Sequence, residues 1–318
     1  MEQTVLDVGA QRFTHGAVTM KLLGGFDQNV YECRQEDGHS FILKFLDATK
    51  YRKASIIREL TWMAYLAEHG VNVTASIRSL EGLLIEEIAH EGKTYYAIAF
   101  AKAPGAPLTN LESNYAVVEQ WGRDLGRMHK LGKQDSAELI HRMAFPQWNQ
   151  HVIVTDEFPS AAGEAVLTKW KQYMDKLDEL PQDEDGYGIV HHDLHHHNFH
   201  VHNDERIYFD FGDTCYHWFA YDIAISIYHS VQTVPEQRRA EFTARFFNSF
   251  MTGYLKENEL SEQWIQEIPF FINYRHLYSF VYFSKFVDWS DMDERTRTYL
   301  SKMKADIETG KSVVQLSI

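Results

Sequence analysis

The chemistry-bearing residues of this chain crowd into one stretch. It reads Ile189-Val190-His191-His192-Asp193-Leu194-His195-His196-His197-Asn198-Phe199-His200-Val201, followed by Ile207-Tyr208-Phe209-Asp210-Phe211-Gly212-Asp213. Apolar runs bracket each polar cluster, so each cluster is expected where a buried strand runs out into a cleft. Three groups stand out: Asp193, Asn198 five residues on, and Asp210 seventeen residues on. A carboxylate and an amide oxygen beside a second carboxylate make a hard, oxygen-rich site. Mg2+ favours such donors, with substrate phosphates and waters in the remaining positions. The other carboxylate can accept a proton from an attacking hydroxyl. Asp213, three residues after Asp210, is a further candidate ligand.

Histidine offers a rival chemistry. Seven of the 17 histidines fall between His191 and His202, and imidazole suits Zn, Ni and Fe. His192-Asp193 also spells the dipeptide of some metal phosphohydrolases. Such a hydrolase needs more His and Asp ligands on separate helices, and no convincing set is visible. His196, His197, His200 and His202 read as polar loop and strand residues, and His191 and His195 as hydrogen-bonding braces of the loop.

The elements that must position these groups change character near residue 103. Before it, Val18–Leu23, Asn29–Arg34 and Ser40–Phe45 read as strands, with Asp37-Gly38 as a tight turn. Residues 51–69 carry Ile56, Ile57, Leu60, Met63, Ala64 and Ala67 at helical spacing and end at Gly70. Two more extended runs, Gly82–Ile88 and Thr94–Phe100, follow around Glu91-Gly92. Ala103-Pro104-Gly105-Ala106-Pro107 is a breaker cluster and the candidate linker. Beyond it, residues 113–131 and 161–178 read as helices, and a helical block runs from about 235 to 309. The expected organisation is an N-terminal lobe, 1–102, and a C-terminal lobe, 103–318, with a ligand between them.

His191-x-Asp193-Leu194-x-x-x-Asn198 and Phe209-Asp210-Phe211-Gly212 resemble the catalytic loop and metal loop of protein-kinase-like phosphotransferases. With His195 after the Leu, the loop is similar to that of the aminoglycoside phosphotransferases and of choline and homoserine kinases, which phosphorylate small molecules. The Arg that protein kinases carry before the catalytic Asp is absent. Small-molecule kinases usually have Gly there, and this chain has His192. The resemblance implies a role for each matching residue. Asp193 is the catalytic carboxylate, and Asn198 and Asp210 are the Mg2+ ligands. Lys44, paired with Glu59, reaches the α- and β-phosphates. Gly24 and Gly25 cover the phosphates, and Phe100 and Ala101 lie at the adenine hinge. Asp222 braces the catalytic loop. It also implies an α+β, protein-kinase-like two-lobed fold, an antiparallel N-terminal sheet with one helix, and a mostly α-helical C-terminal lobe. The implied reaction moves the γ-phosphoryl group of ATP, with GTP an open alternative, to a hydroxyl of a small molecule. A nucleotide-binding module without turnover is the competing reading, favoured by Asp27 near the phosphate position.

Composition narrows the partners. The 318 residues are 44% apolar and 24% charged, which rules out a largely disordered chain. With 31 basic against 45 acidic side chains the net charge is −14, which argues against nucleic acid or an anionic membrane as partner and favours a cationic acceptor such as an aminoglycoside. Residues 1–7 show no basic or apolar leader pattern, and Cys33 and Cys215 read as reduced thiols, so the cytoplasm is the expected compartment. Phe270, Tyr274, Tyr278, Tyr282 and Phe286 recur every four residues as a core stripe. The acidic run Asp288–Glu294 around Trp289 reads as a helix cap or solvated loop, whereas the resemblance implies an acidic, aromatic acceptor pocket.

Overall fold

Alternation along the first strands builds an antiparallel sheet. The computed structural model describes residues 1–25, 27–133, 143–287, 292–314 and 316. In it, α1 (Gln3–Gln11) precedes β1 (Val18–Gly24), β2 (Val30–Gln35), β3 (Ser40–Asp47) and α2 (Lys53–Glu68). β4 (Ser76–Ile77), β5 (Glu86–His90) and β6 (Lys93–Ala101) complete the sheet. β1, β2 and β3 form a meander, and β6 pairs with β3 from Phe41↔Ala101 to Asp47↔Tyr95. On its other edge β6 takes β5 along its first half and β4 at its end. The Asp37-Gly38 turn forms as expected: Gly38 sits at φ +89°, and the His39 N–H donates to Asp37 Oδ1 at 2.9 Å.

The chain divides into two compact units, Met1–Pro107 with Phe199–Gly212, and Leu108–Asn198 with Asp213–Ile318. In the first, Phe41, Leu43 and Phe45 of β3 pack with Val5, Leu6 and Ala10 of α1 and Ile88 of β5. Side chains alternate across a strand, so Lys44 lies on the opposite face from this core. The sequence does not mark α1, which has no side-chain cap and no acidic residue in its first turn. On α2, Ile56, Glu59, Leu60 and Met63 share the buried stripe, so Glu59 is a carboxylate at a core position. The hairpin Phe199–His202/Glu205–Tyr208 joins this unit by pairing with Ala106–Pro107. Tyr208 also exchanges backbone hydrogen bonds with Asn72 and Thr74, both 2.9 Å.

The second unit is mostly helical. Its long helices are α3 (Tyr115–Lys133), α4 (Glu164–Glu179), α5 (Phe219–Val231), α6 (Arg239–Tyr254), α7 (Ile268–Phe286) and α8 (Glu294–Thr309). A two-stranded ladder pairs Tyr187–Val190 with Cys215–Trp218 and feeds the chain into α5. α5 escapes a reading of period because all its residues except His229 are buried, which leaves no polar face. The expected C-terminal block resolves into α6, α7, α8 and a short five-residue helix at Glu262–Gln266. Of the acidic run 288–294, residues 288–291 lie outside the described residues, while Asp293 caps α8 by accepting from the Thr296 N–H at 2.7 Å. Among the described residues, no helix is long and apolar enough to cross a membrane.

α3 and α6 approach closely because glycines face backbone. A Cβ at Gly122 would strike Phe250 O, and one at Gly126 would strike Tyr254 O. Gly122→Ala is therefore expected to destabilise the protein by about 1–3 kcal/mol through overpacking. Urea unfolding measures it, and an unchanged midpoint would contradict the contact.

Candidate active site

Lys44 is the cation of a three-residue set within the first unit. Its Nζ lies 2.9 Å from Asp210 Oδ1 and 4.0 Å from Glu59 Oε1. β3 presents Lys44, the stripe of α2 presents Glu59, and the turn after the hairpin presents Asp210. Asp210 has φ +66°, a left-handed backbone rarely adopted by a residue with a Cβ. Its side chain is 55% exposed, while that of Glu59 is buried. Gly212 borders the set, since a Cβ there would sit 3.6 Å from Lys44 Nζ and 3.7 Å from Glu59 Oε2.

Asp193 belongs to a loop in the second unit whose backbone is gripped by side chains. The N–H groups of His191 and His192 each donate 2.9 Å bonds to the buried carboxylate of Asp222, which His129 also contacts at 3.1 Å. Ser226 Oγ donates to Leu194 O at 2.8 Å, and Asn198 Nδ2 donates to Asp193 O at 2.9 Å. His191 Nδ1 accepts from the Asp193 N–H at 3.3 Å, and His195 Nδ1 accepts from the His197 N–H at 3.1 Å. Both histidines thus brace the loop. His192 takes φ +71°, the conformation for which glycine is suited. Its ring is buried beside His151, Tyr221, Tyr278 and His217. Burial, reinforced by His151, His217 and Arg275, holds its pKa well below the usual imidazole value, so the ring is neutral.

The Asp193 carboxylate has two unlike oxygens. Oδ1 accepts from Arg275 Nη2 at 2.6 Å. Among the described residues, Oδ2 has only longer contacts, 3.3 Å to Asn198 Nδ2 and 3.4 Å to His195 Nε2. Burial alone would raise this carboxyl; the Arg275 charge, helped by His195, more than offsets it and holds the pKa well below the carboxylate range. The side chain is 26% exposed, so it is reachable from solvent. Arg275, on α7, is the residue that sequence reading missed. The one available signal was a lone Arg among the apolar residues of that helix.

The remaining candidates are placed as follows. Gly24 (φ +135°) and Gly25 (φ +83°) lie at the irregular end of β1. Asp27 is engaged by Lys50 Nζ at 2.8 Å. Phe100 and Ala101 end β6, and the Ala101 N–H is taken by Ala75 O at 2.8 Å. Asp213 is 56% exposed, with Oδ1 4.0 Å from His151 Nε2. Each candidate ligand taken by itself offers an oxygen donor suited to a hard cation: Asp210 a carboxylate, and Asn198, whose Nδ2 donates to Asp193 O, its Oδ1. Among the described residues, the His-rich stretch brings no three His, Cys, Asp or Glu donor atoms within 4.8 Å of one another; Glu2, His90 and Glu91 do.

Asp222→Ala would leave two loop N–H groups and His129 without their acceptor. It is expected to lower the unfolding free energy by about 2–5 kcal/mol, since each buried donor left without an acceptor costs about 1–3 kcal/mol. Denaturant unfolding tests this, and a loss below about 1 kcal/mol would show that water replaces the carboxylate.

A family model described as the phosphotransferase enzyme family matches residues 19–260. An amicoumacin kinase of Bacillus subtilis (strain 168) is 30% identical over 318 residues, covering 98% of this chain and 94% of the relative. A solved structure of an amicoumacin kinase in complex with AMP-PNP, Ca2+ and Ami has a TM-score of 0.87 at 30% identity, covering 100% of this chain and 96% of the other. A microcompartment-associated aminopropanol kinase gives 0.71 at 17% identity, covering 96% and 95%, a likeness of fold alone. Matched by that family model over most of its length and by a kinase relative almost end to end, the chain belongs to the phosphotransferase enzyme family and is a small-molecule kinase of protein-kinase-like α+β fold.

Proposed function

We propose that the chain transfers the γ-phosphoryl group of ATP to a hydroxyl of a small acceptor of the amicoumacin class. The observation that carries this is Asp193, a solvent-reachable carboxylate kept ionised and fixed on one oxygen. The similar kinase bound to AMP-PNP, Ca2+ and Ami supports the donor, a divalent cation and the acceptor class. The net charge of −14 favours a cationic acceptor, so aminoglycosides remain in the test panel.

Asp193 acts as an oriented acceptor for the hydroxyl proton. A carboxylate of low proton affinity is a weak base, so it aligns the nucleophile and takes the proton late. A loose phosphoryl-transfer transition state asks for little more. Lys44, steered by Glu59, neutralises charge on the α- and β-phosphates. Asn198 and Asp210 would supply oxygen ligands to Mg2+, with Asp213 as a further candidate donor. When bound, that ion offsets phosphate charge. Gly24 and Gly25, at positive φ, leave backbone N–H groups free of Cβ crowding near the phosphates. Phe100 and Ala101 border the adenine. The pairing of Asp27 with Lys50 offsets its negative charge, which weakens the case for a module without turnover.

The test is ADP release from Mg-ATP with amicoumacin, aminoglycosides, choline, ethanolamine, homoserine and methylthioribose as acceptors. Turnover with amicoumacin is expected, reduced about a thousandfold in Asp193→Asn. Asp210→Ala should abolish turnover, and Lys44→Met should raise the KM for ATP as well as lower kcat. Chelation should stop the reaction and added Mg2+ restore it. Normal turnover in Asp210→Ala would overturn the metal assignment. Nucleotide binding without transfer to any of these acceptors would overturn the acceptor class.

A further inference from the structure

Arg275 reaches the catalytic loop from α7, an element with no other part in the proposed reaction. Its guanidinium spans two adjacent loop residues: Nη1 donates to His192 O at 3.3 Å and Nη2 to Asp193 Oδ1 at 2.6 Å. Burial, with Arg275 next in effect, pushes the His229 pKa well below its usual value. His229 is therefore neutral, and its Nε2 accepts from Nη2 at 3.2 Å. The Tyr278 ring lies 5.6 Å from the guanidinium carbon. Neighbours on several sides thus fix the orientation of this planar group.

A buried guanidinium is costly, and its pairing with a carboxylate gives little net stability. What the arrangement does supply is direction. The short, charge-assisted bond goes to one oxygen only, and the other keeps contacts of 3.3 and 3.4 Å, loose enough to accept a new donor. We infer that Arg275 is a positioning residue: it anchors Asp193 Oδ1 so that Oδ2 is the oxygen offered to the acceptor hydroxyl. This rests on the reading of Asp193 as the acceptor of that proton. Lys cannot fully replace Arg275, because an ammonium lacks the fork that spans a carboxylate and a neighbouring carbonyl.

The test is a double-mutant cycle on kcat and KM, with thermal unfolding of every variant. Arg275→Met should lower kcat roughly a hundredfold, the cost of a small misplacement of a reacting group, while the KM for ATP stays within about threefold. Arg275→Lys should recover part of the loss. In an Asp193→Asn background, Arg275→Met should cost less than about threefold, because its effect passes through the carboxylate. If Arg275→Met does not fold, Arg275→Lys and the double variant, which carries no lone buried charge, complete the comparison. Multiplicative losses in the double variant, or unchanged kcat in Arg275→Lys and Arg275→Met, would overturn the inference. Full activity in Asp193→Asn would instead overturn the proposed role of Asp193.

Discussion

The carboxylate of Asp222, with no exposure to solvent, decides where the loop of His191–Asn198 can lie. A chain that leaves a strand and stays inside the protein must find partners for backbone groups that no ladder satisfies. Here Asp222 takes the N–H groups of His191 and His192, Ser226 takes Leu194 O, Asn198 takes Asp193 O, and Arg275 takes His192 O. Two of these partners sit one turn apart on α5 and a third on α7. The position of Asp193 is therefore inherited from the helical core rather than from the loop's own preferences. A packed helix moves little, so the carboxylate is held before any ligand arrives.

His192 shows how a local rule can be broken at a tolerable cost. Its left-handed backbone would suit glycine, and a residue with a Cβ there costs on the order of 1–3 kcal/mol. The ring offsets this by packing against His151, Tyr221 and Tyr278 while staying neutral. Glycine, usual in similar kinases, would satisfy the backbone and leave that space unfilled. Asp210, at φ +66°, carries the same kind of strain with a more exposed side chain. There the Lys44 ion pair acts on the side chain in place of packing.

Much of the fold was legible because its signals are local. The strand alternation, the Asp37-Gly38 turn and the stripe of α2 each depend on neighbours in sequence. Elements whose signal is tertiary were not legible. α1 is nine residues long with neither a side-chain cap nor an acidic first turn, and α5 has no polar face to set a period. The site divides in the same way. Spacing exposes Asp193, Asn198 and Asp210 because one loop and one turn carry them. Arg275 lies 82 residues from its carboxylate partner, and only the packed structure brings the two together. Its environment was readable in one respect: an Arg within so apolar a helix needs a buried anion, and a count of such positions would have flagged it.

On the proposed reading, charge placement calls for a metal beside Asp210. In the first unit one ammonium faces two carboxylates, so the set of Lys44, Glu59 and Asp210 is formally negative before any phosphate approaches. Lys44 has three N–H donors and can keep Glu59 while turning to a phosphate oxygen. The bond it gives up is the 2.9 Å contact to Asp210, which would leave that carboxylate beside a polyanion. Such a rearrangement is favourable only when a second cation takes over Asp210. Asp210 would then hold a hard divalent ion, which would offset its charge and that of the phosphate, whereas a further Lys would compete with Lys44 for the same oxygens. The long contact to Glu59 then has a clear use. On the proposed reading, Glu59, with Oε1 4.0 Å from Nζ, would keep Lys44 in place on the sheet while it turns to a phosphate.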